Sequence, residues 1–198
     1  MSLPSRLLGA NPSIQVSTLL SGSLSTPSAK QAFVGEDYEL ISTSLVSSST
    51  ASITFSSVPQ TYKHLRFIGL LSTGAETDYY MSFNSDETNS NYRFTSIHII
   101  TNGTRTVTNG DTRFFAYDNT DNASAFCSVD SWIIDYARTD WYKQVLNESG
   151  WYQSNPRAVT YRNSLVWENN SAITSVKISP SSGNLKSGCR LSLYGLKG

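Results

Sequence analysis

Acid–base or nucleophilic chemistry would have to start from a histidine or a pair of carboxylates. The chain has two histidines, His64 and His98. They lie far apart in sequence, neither sits by a nucleophile elbow, and no metal-ligand spacing surrounds them. Each therefore reads as a strand-surface or packing residue. A Ser-His-Asp site forms in space rather than in sequence, but serine is so common here that its presence carries no weight. No Gly-rich phosphate loop and no HExxH helix is present. Carboxylates occur in apparent loops at Asp78, Asp86, Glu87, Asp111, Asp118, Asp121, Asp140, Glu148 and Glu168. Two of them could act as general acid and base; solubilising the surface is the plainer role. The stretch Asp118-Asn119-Thr120-Asp121-Asn122 is rich in oxygen donors but lacks the EF-hand ligand pattern. The expectation is a protein that is not an enzyme, with no catalytic residues, no metal and no cofactor.

Aromatic side chains offer a different chemistry, that of contact. The chain carries 11 Tyr, 8 Phe and 4 Trp, enough to supply more than a core. Trp132, Trp141, Trp151 and Trp167 all fall in the second half, several beside polar neighbours. Trp and Tyr combine a large apolar area with a polar handle, which suits protein interfaces and sugar platforms. Packing of sheet faces is the competing role, because aromatic residues also favour strands. The candidates for contact with a glycan or a protein are Trp141, Tyr142, Trp151, Tyr152 and Trp167.

The positioning framework is β. Tyr38 to Val46 is an apolar, β-branched run, and Ile53 and Phe55 mark a second strand. Lys63 to Leu71 alternates imperfectly. Tyr79, Met81 and Phe83 share one face at a period of two. Residues 84–91 form a loop by composition, and Tyr92 to Ile100 alternates with both faces partly covered. Asn102-Gly103 and Asn109-Gly110 are turn signals, because Asn and Gly tolerate positive φ; the segment between them reads as one arm of a hairpin. Strand-like runs follow at 124–136, 142–146, 158–167, 172–178 and 190–196, with a loop over 180–188. Many short strands separated by Gly, Asn and Pro turns indicate an all-β antiparallel sandwich, jelly-roll-like. No heptad run or collagen triplet suggests a shaft.

Residues 1–37 differ from this pattern, and the β-sandwich domain is assigned to 38–198. Leu3, Leu7, Leu8, Ile14, Val16, Leu19, Leu20 and Leu24 are too many for a solvated linker and follow neither strand nor helix periodicity. An extended N-terminal arm that docks on a partner fits them, as does a disordered tail or a strap across its own domain. Net charge is zero and charged residues are 15% of the chain, so no excess of cations exists to attract nucleic acid or an anionic membrane. Low charge also suits life in an assembly. No apolar run is long enough to span a membrane, and Pro4, Arg6, Asn11 and Pro12 break up any signal peptide. Cys127 and Cys189 fall in different apparent strands and define no disulfide framework; buried free thiols are the plainer reading.

Several segments resemble a module of tailed-bacteriophage virion structural proteins. They are 38–43, then 52–65 (Ser-Ile-Thr-Phe-Ser-Ser-Val-Pro-Gln-Thr-Tyr-Lys-His-Leu), then Asn84-Ser85-Asp86 with Asn89-Ser90-Asn91-Tyr92. Asp135-Tyr136-Ala137 precedes Tyr142-Lys143, and Trp167, 172–176 and Ser192-Leu193-Tyr194-Gly195-Leu196-Lys197 close the chain. The resemblance covers about 38–198 and brings no catalytic residues. It implies a virion protein assembled in the host cytoplasm. The short arm plus one module suggests a capsid decoration or cement protein, or a small tail component. Its partners would be other virion proteins and further copies of itself. The alternative is a receptor-binding tail module that recognises a host surface glycan.

Overall fold

Alternation of apolar and polar side chains sets the strands, and the computed structural model describes residues 38–100, 105–118, 125–153 and 157–198. In chain order they are β1 (Tyr38–Leu45), β2 (Ile53–Phe55), β3 (His64–Leu71), β4 (Thr77–Phe83), β5 (Tyr92–Ile100) and β6 (Arg105–Gly110). Then come β7 (Phe114–Asp118), β8 (Cys127–Ile134), β9 (Lys143–Gln153), β10 (Arg157–Trp167), β11 (Val176–Pro180) and β12 (Arg190–Leu196). A single 3-10 turn, Asn89–Asn91, is the only helical element among the described residues. The arm residues Leu3, Leu7, Leu8, Ile14, Val16, Leu19, Leu20 and Leu24 lie outside the described residues, as do Asn102-Gly103 and 119–122 of the polar loop.

Two antiparallel sheets pack together. One has eight strands in the order β1-β12-β3-β8-β9-β10-β5-β6, the other four in the order β2-β11-β4-β7. Setting aside the hairpins β5–β6 and β9–β10 leaves eight strands in nested pairs: β1 with β12, β2 with β11, β3 with β8, β4 with β7. That nesting is the jelly roll. The two hairpins extend the larger sheet beyond β8.

The core lies between the sheets. Leu65, Phe67 and Leu71 of β3, Tyr79, Met81 and Phe83 of β4, and Leu191 and Leu193 of β12 are all buried. Phe55 meets Phe67 edge to face across the sheets, with centroids 5.5 Å apart. Gly69 sits where a Cβ would collide with the carbonyl of Arg190, so close pairing of β3 and β12 requires glycine. Both cysteines are buried thiols outside any disulfide.

The expected strands appear with three differences. β7 has no counterpart in the sequence reading. It is short, and it is held partly by side chains: Asn147 Nδ2 donates to the Phe115 carbonyl (2.9 Å) and Asn163 Nδ2 to that of Phe114 (3.0 Å). β9 continues well past Leu146, because the polar run Asn147-Glu148-Ser149 turns Asn147 and Ser149 into the core instead of forming a loop. The strand expected over 172–178 starts only at Val176. Residues 172–175 give their backbone groups to Asn84 and Tyr136 in place of a neighbouring strand. Asn109-Gly110 ends β6, which forms the expected hairpin with β5.

Candidate functional site

One end of the sandwich is tied by a polar knot built on Asn84 and Asp86. Asn84 and Ser85 follow β4 at φ of 51° and 63°, a left-handed turn that asparagine tolerates. Asn84 Oδ1 accepts from the backbone N–H of Thr174 (2.8 Å) and Ser175 (3.2 Å), and its Nδ2 donates to the Ala172 carbonyl (2.8 Å). The Asp86 carboxylate accepts from Trp167 Nε1 (2.8 Å), Asn91 Nδ2 (2.9 Å) and the Thr88 N–H (3.0 Å). Burial alone would raise the Asp86 pKa; these donors outweigh it and hold the carboxyl below its ordinary range. The Tyr92 hydroxyl donates to the Asp86 carbonyl (2.8 Å) and accepts from the Phe83 N–H (3.1 Å), and burial pushes its phenol well up. Gln60 Nε2 donates to the carbonyls of Val58 and Ile173, and the Tyr136 hydroxyl donates to that of Pro59. Stretches distant in sequence thus meet in one place.

The adjoining β8–β9 loop carries Trp141 and Tyr142. Lys143, though fully buried, anchors it by donating to the carbonyls of Trp141 (2.9 Å) and Asn170 (3.0 Å). Burial lowers the Lys143 pKa, opposed by the charge of Asp140. Arg138 lies over the Trp141 ring, 3.9 Å from its centroid, and pairs with Asp140.

From this loop a row of three shallow hollows, together the groove, runs along the outer face of β8 and β9. Alternation turns Cys127, Val129, Ser131 and Ile133 inward, leaving Ser128, Asp130, Trp132 and Ile134 outward. On β9 the outward residues are Gln144, Leu146, Glu148, Gly150 and Tyr152. Cross-strand register sets Trp132 opposite Leu146, Asp130 opposite Glu148 and Ser128 opposite Gly150. The middle of the groove, about 440 Å³, is lined by Asp130, Trp132, Leu146, Glu148 and Arg162. Towards the knot lies a hollow of about 330 Å³ bounded by Ile134, Trp141, Tyr142 and Gln144. In the other direction Ser128, Gly150 and Thr160 border a third, of about 290 Å³, which shares Asp130 and Glu148 with the first. Arg66 makes a two-point contact with Asp130 (2.8 and 2.5 Å) and lies 5.0 Å from the Trp132 centroid. Arg162 pairs with Glu148 at 2.6 Å. Such exposed pairs contribute little stability; they fix where donors and acceptors sit beside the rings.

The aromatic candidates separate. Trp151 is 7% exposed and Trp167 is 1% exposed; both face the core, so they are corrected from contact residues to packing residues. Their strand positions share the inward parity of Lys143, Val145 and Leu165. Trp141, Tyr142 and Tyr152 are exposed. Tyr152 stands at the far end of β9, ten residues from Tyr142, or roughly 30 Å along the strand. Trp132, which faces Leu146 between these ends, was not among the contact candidates; the alternation through 124–136 was the signal that pointed it outward.

The histidines have packing roles. His64 Nδ1 accepts the Asp135 N–H at 3.0 Å, and His98 stacks on Tyr161 at 5.9 Å between centroids. Among the described residues no three His, Cys, Asp or Glu side chains group as a metal set. Comparisons with family models, curated proteins and solved structures give no match.

Proposed function

We propose that this chain is a structural protein of a tailed-bacteriophage particle, a capsid decoration or cement protein or a small tail component. In this reading residues 1–37 attach it to other virion proteins or to further copies of itself. The supporting observation is the knot. Segments around Val58, Asn84, Asp86, Asn91, Tyr136, Trp167 and Thr174 resemble a phage module, and they bond to one another rather than to a reaction centre. In this reading the resemblance is one of architecture, as expected for a module whose role is to be a stable body in an assembly.

The arm supplies the test. Burying a leucine is worth about 1.5–3 kcal/mol, so docking depends on several of them together. With Leu7, Leu8, Leu19 and Leu20 replaced by Ser in the full chain, particles should carry little of the protein while the free protein keeps its thermal midpoint. Unchanged occupancy, measured by mass spectrometry of purified particles, would defeat the docking role. A second reading, a module that binds a host surface glycan, is favoured by the groove of aromatic and hydrogen-bonding side chains on β8 and β9.

A further inference from the structure

We propose that the outer groove of β8 and β9 binds an uncharged, linear polysaccharide, with Trp132, Glu148 and Arg162 at its centre and Trp141 and Tyr142 at one end. This rests on the second reading above and gives it a site and a ligand class.

Three observations carry it. The first is composition: the groove sets an indole and Leu146 beside two carboxylates and a guanidinium. A pyranose has a C–H face that rests on apolar side chains and a rim of hydroxyls that both donate and accept. The second is charge. Arg66 is bound by Asp130, and Arg162 by Glu148. Each groove cation is matched by a carboxylate, so a sugar acid would bring its own charge against Asp130 and Glu148. The neutral hydroxyl is the group these fixed partners suit. The third is Gly150. It lies inside a central strand, its φ is not in the left-handed region, and a Cβ there would meet only ordinary contacts, 3.4 Å from the Val159 carbonyl and 3.5 Å from Ser128 Oγ. Backbone geometry does not demand glycine at this position. Its effect is to keep the groove floor open between Ser128 and Thr160, as where a ligand approaches a strand closely. The groove follows the strands for roughly 20 Å from Ile134 to Ser128, so an extended chain of several sugars fits it better than a single one.

The test is affinity electrophoresis of the full chain through native gels containing dextran, mannan, galactan or polygalacturonate. At least one neutral polymer should retard the protein, and polygalacturonate should not. Trp132→Ala should weaken the retardation about tenfold or more. Gly150→Val, which fills the floor from the opposite end, should do the same at an unchanged thermal midpoint. If a neutral polymer retards both variants as it does the wild type, or if only polygalacturonate binds, the proposed site or class is wrong while glycan binding survives. Retardation by none of the four overturns both. A concentration-dependent dimer in sedimentation that Trp132→Ala abolishes would make this face an interface between copies and also overturn the proposal.

Discussion

At Asp86 one carboxylate gathers donors from Thr88, Asn91 and Trp167, and the pH dependence of stability follows from it. A carboxyl whose folded pKa is depressed contributes stability that is complete above its unfolded value, near 4. That contribution is lost as pH falls through the lower folded value. Asp86→Ala should cost about 2 kcal/mol at pH 7, since charge-assisted hydrogen bonds disappear and the Trp167 N–H is left without its acceptor. Urea melts of both proteins at pH 7 and pH 3 should show the gap closing in acid; a gap that stays constant would mean Asp86 acts through shape alone. The sequence presented Asp86 only as one loop carboxylate among many, because its donors come from positions up to 81 residues away. The tryptophans were misjudged for a related reason. Polar neighbours made Trp151 and Trp167 look exposed, yet in a strand the adjacent residue faces the opposite side. Parity along β9 and β10 decided their fate.

β7 shows how an element is made by side chains outside its own sheet. It pairs with β4 on one edge, through a register shift between Tyr79 and Tyr80, and the Asn147 and Asn163 amides reach its carbonyls from the facing sheet. Asn147→Ala should cost about 1–3 kcal/mol by leaving the Phe115 carbonyl unpaired in the interior. Hydrogen exchange of the β7 amides should accelerate in that variant while those of β3 hold; equal protection of β7 in both proteins would show that the pairing with β4 suffices. Strands with plain alternation, such as Tyr92–Ile100 and Arg190–Leu196, were legible to the residue. β7 and the distal half of β9 were not: β7 has only five residues and is held partly by amides from the facing sheet, and in β9 the buried Asn147 and Ser149 break the apolar pattern that marks a strand.

The β domain is a nest, and nesting is the property a single sequence conceals most completely. Strand lengths and turns indicated a sandwich, but the partnering of β1 with β12 joins opposite ends of the domain, and no local pattern encodes it. The same arrangement bears on how the protein is made. On the ribosome the N-terminal strands emerge first, yet among the described strands β1 has no neighbour in its sheet except β12, and β12 also covers one edge of β3. Until residues 190–196 leave the exit tunnel, β1 and one edge of β3 lack the strand they share. This sheet therefore closes only after its last strand has emerged, and every nascent copy passes through a stage with an open, adhesive sheet edge. A stop codon at Arg190 freezes the chain at that stage. It should convert a soluble product into an aggregated or degraded one, seen by fractionating expressing cells, whereas a stop after Leu196 should not. A soluble, folded product from the shorter chain would show that β1 and β3 close without their shared neighbour.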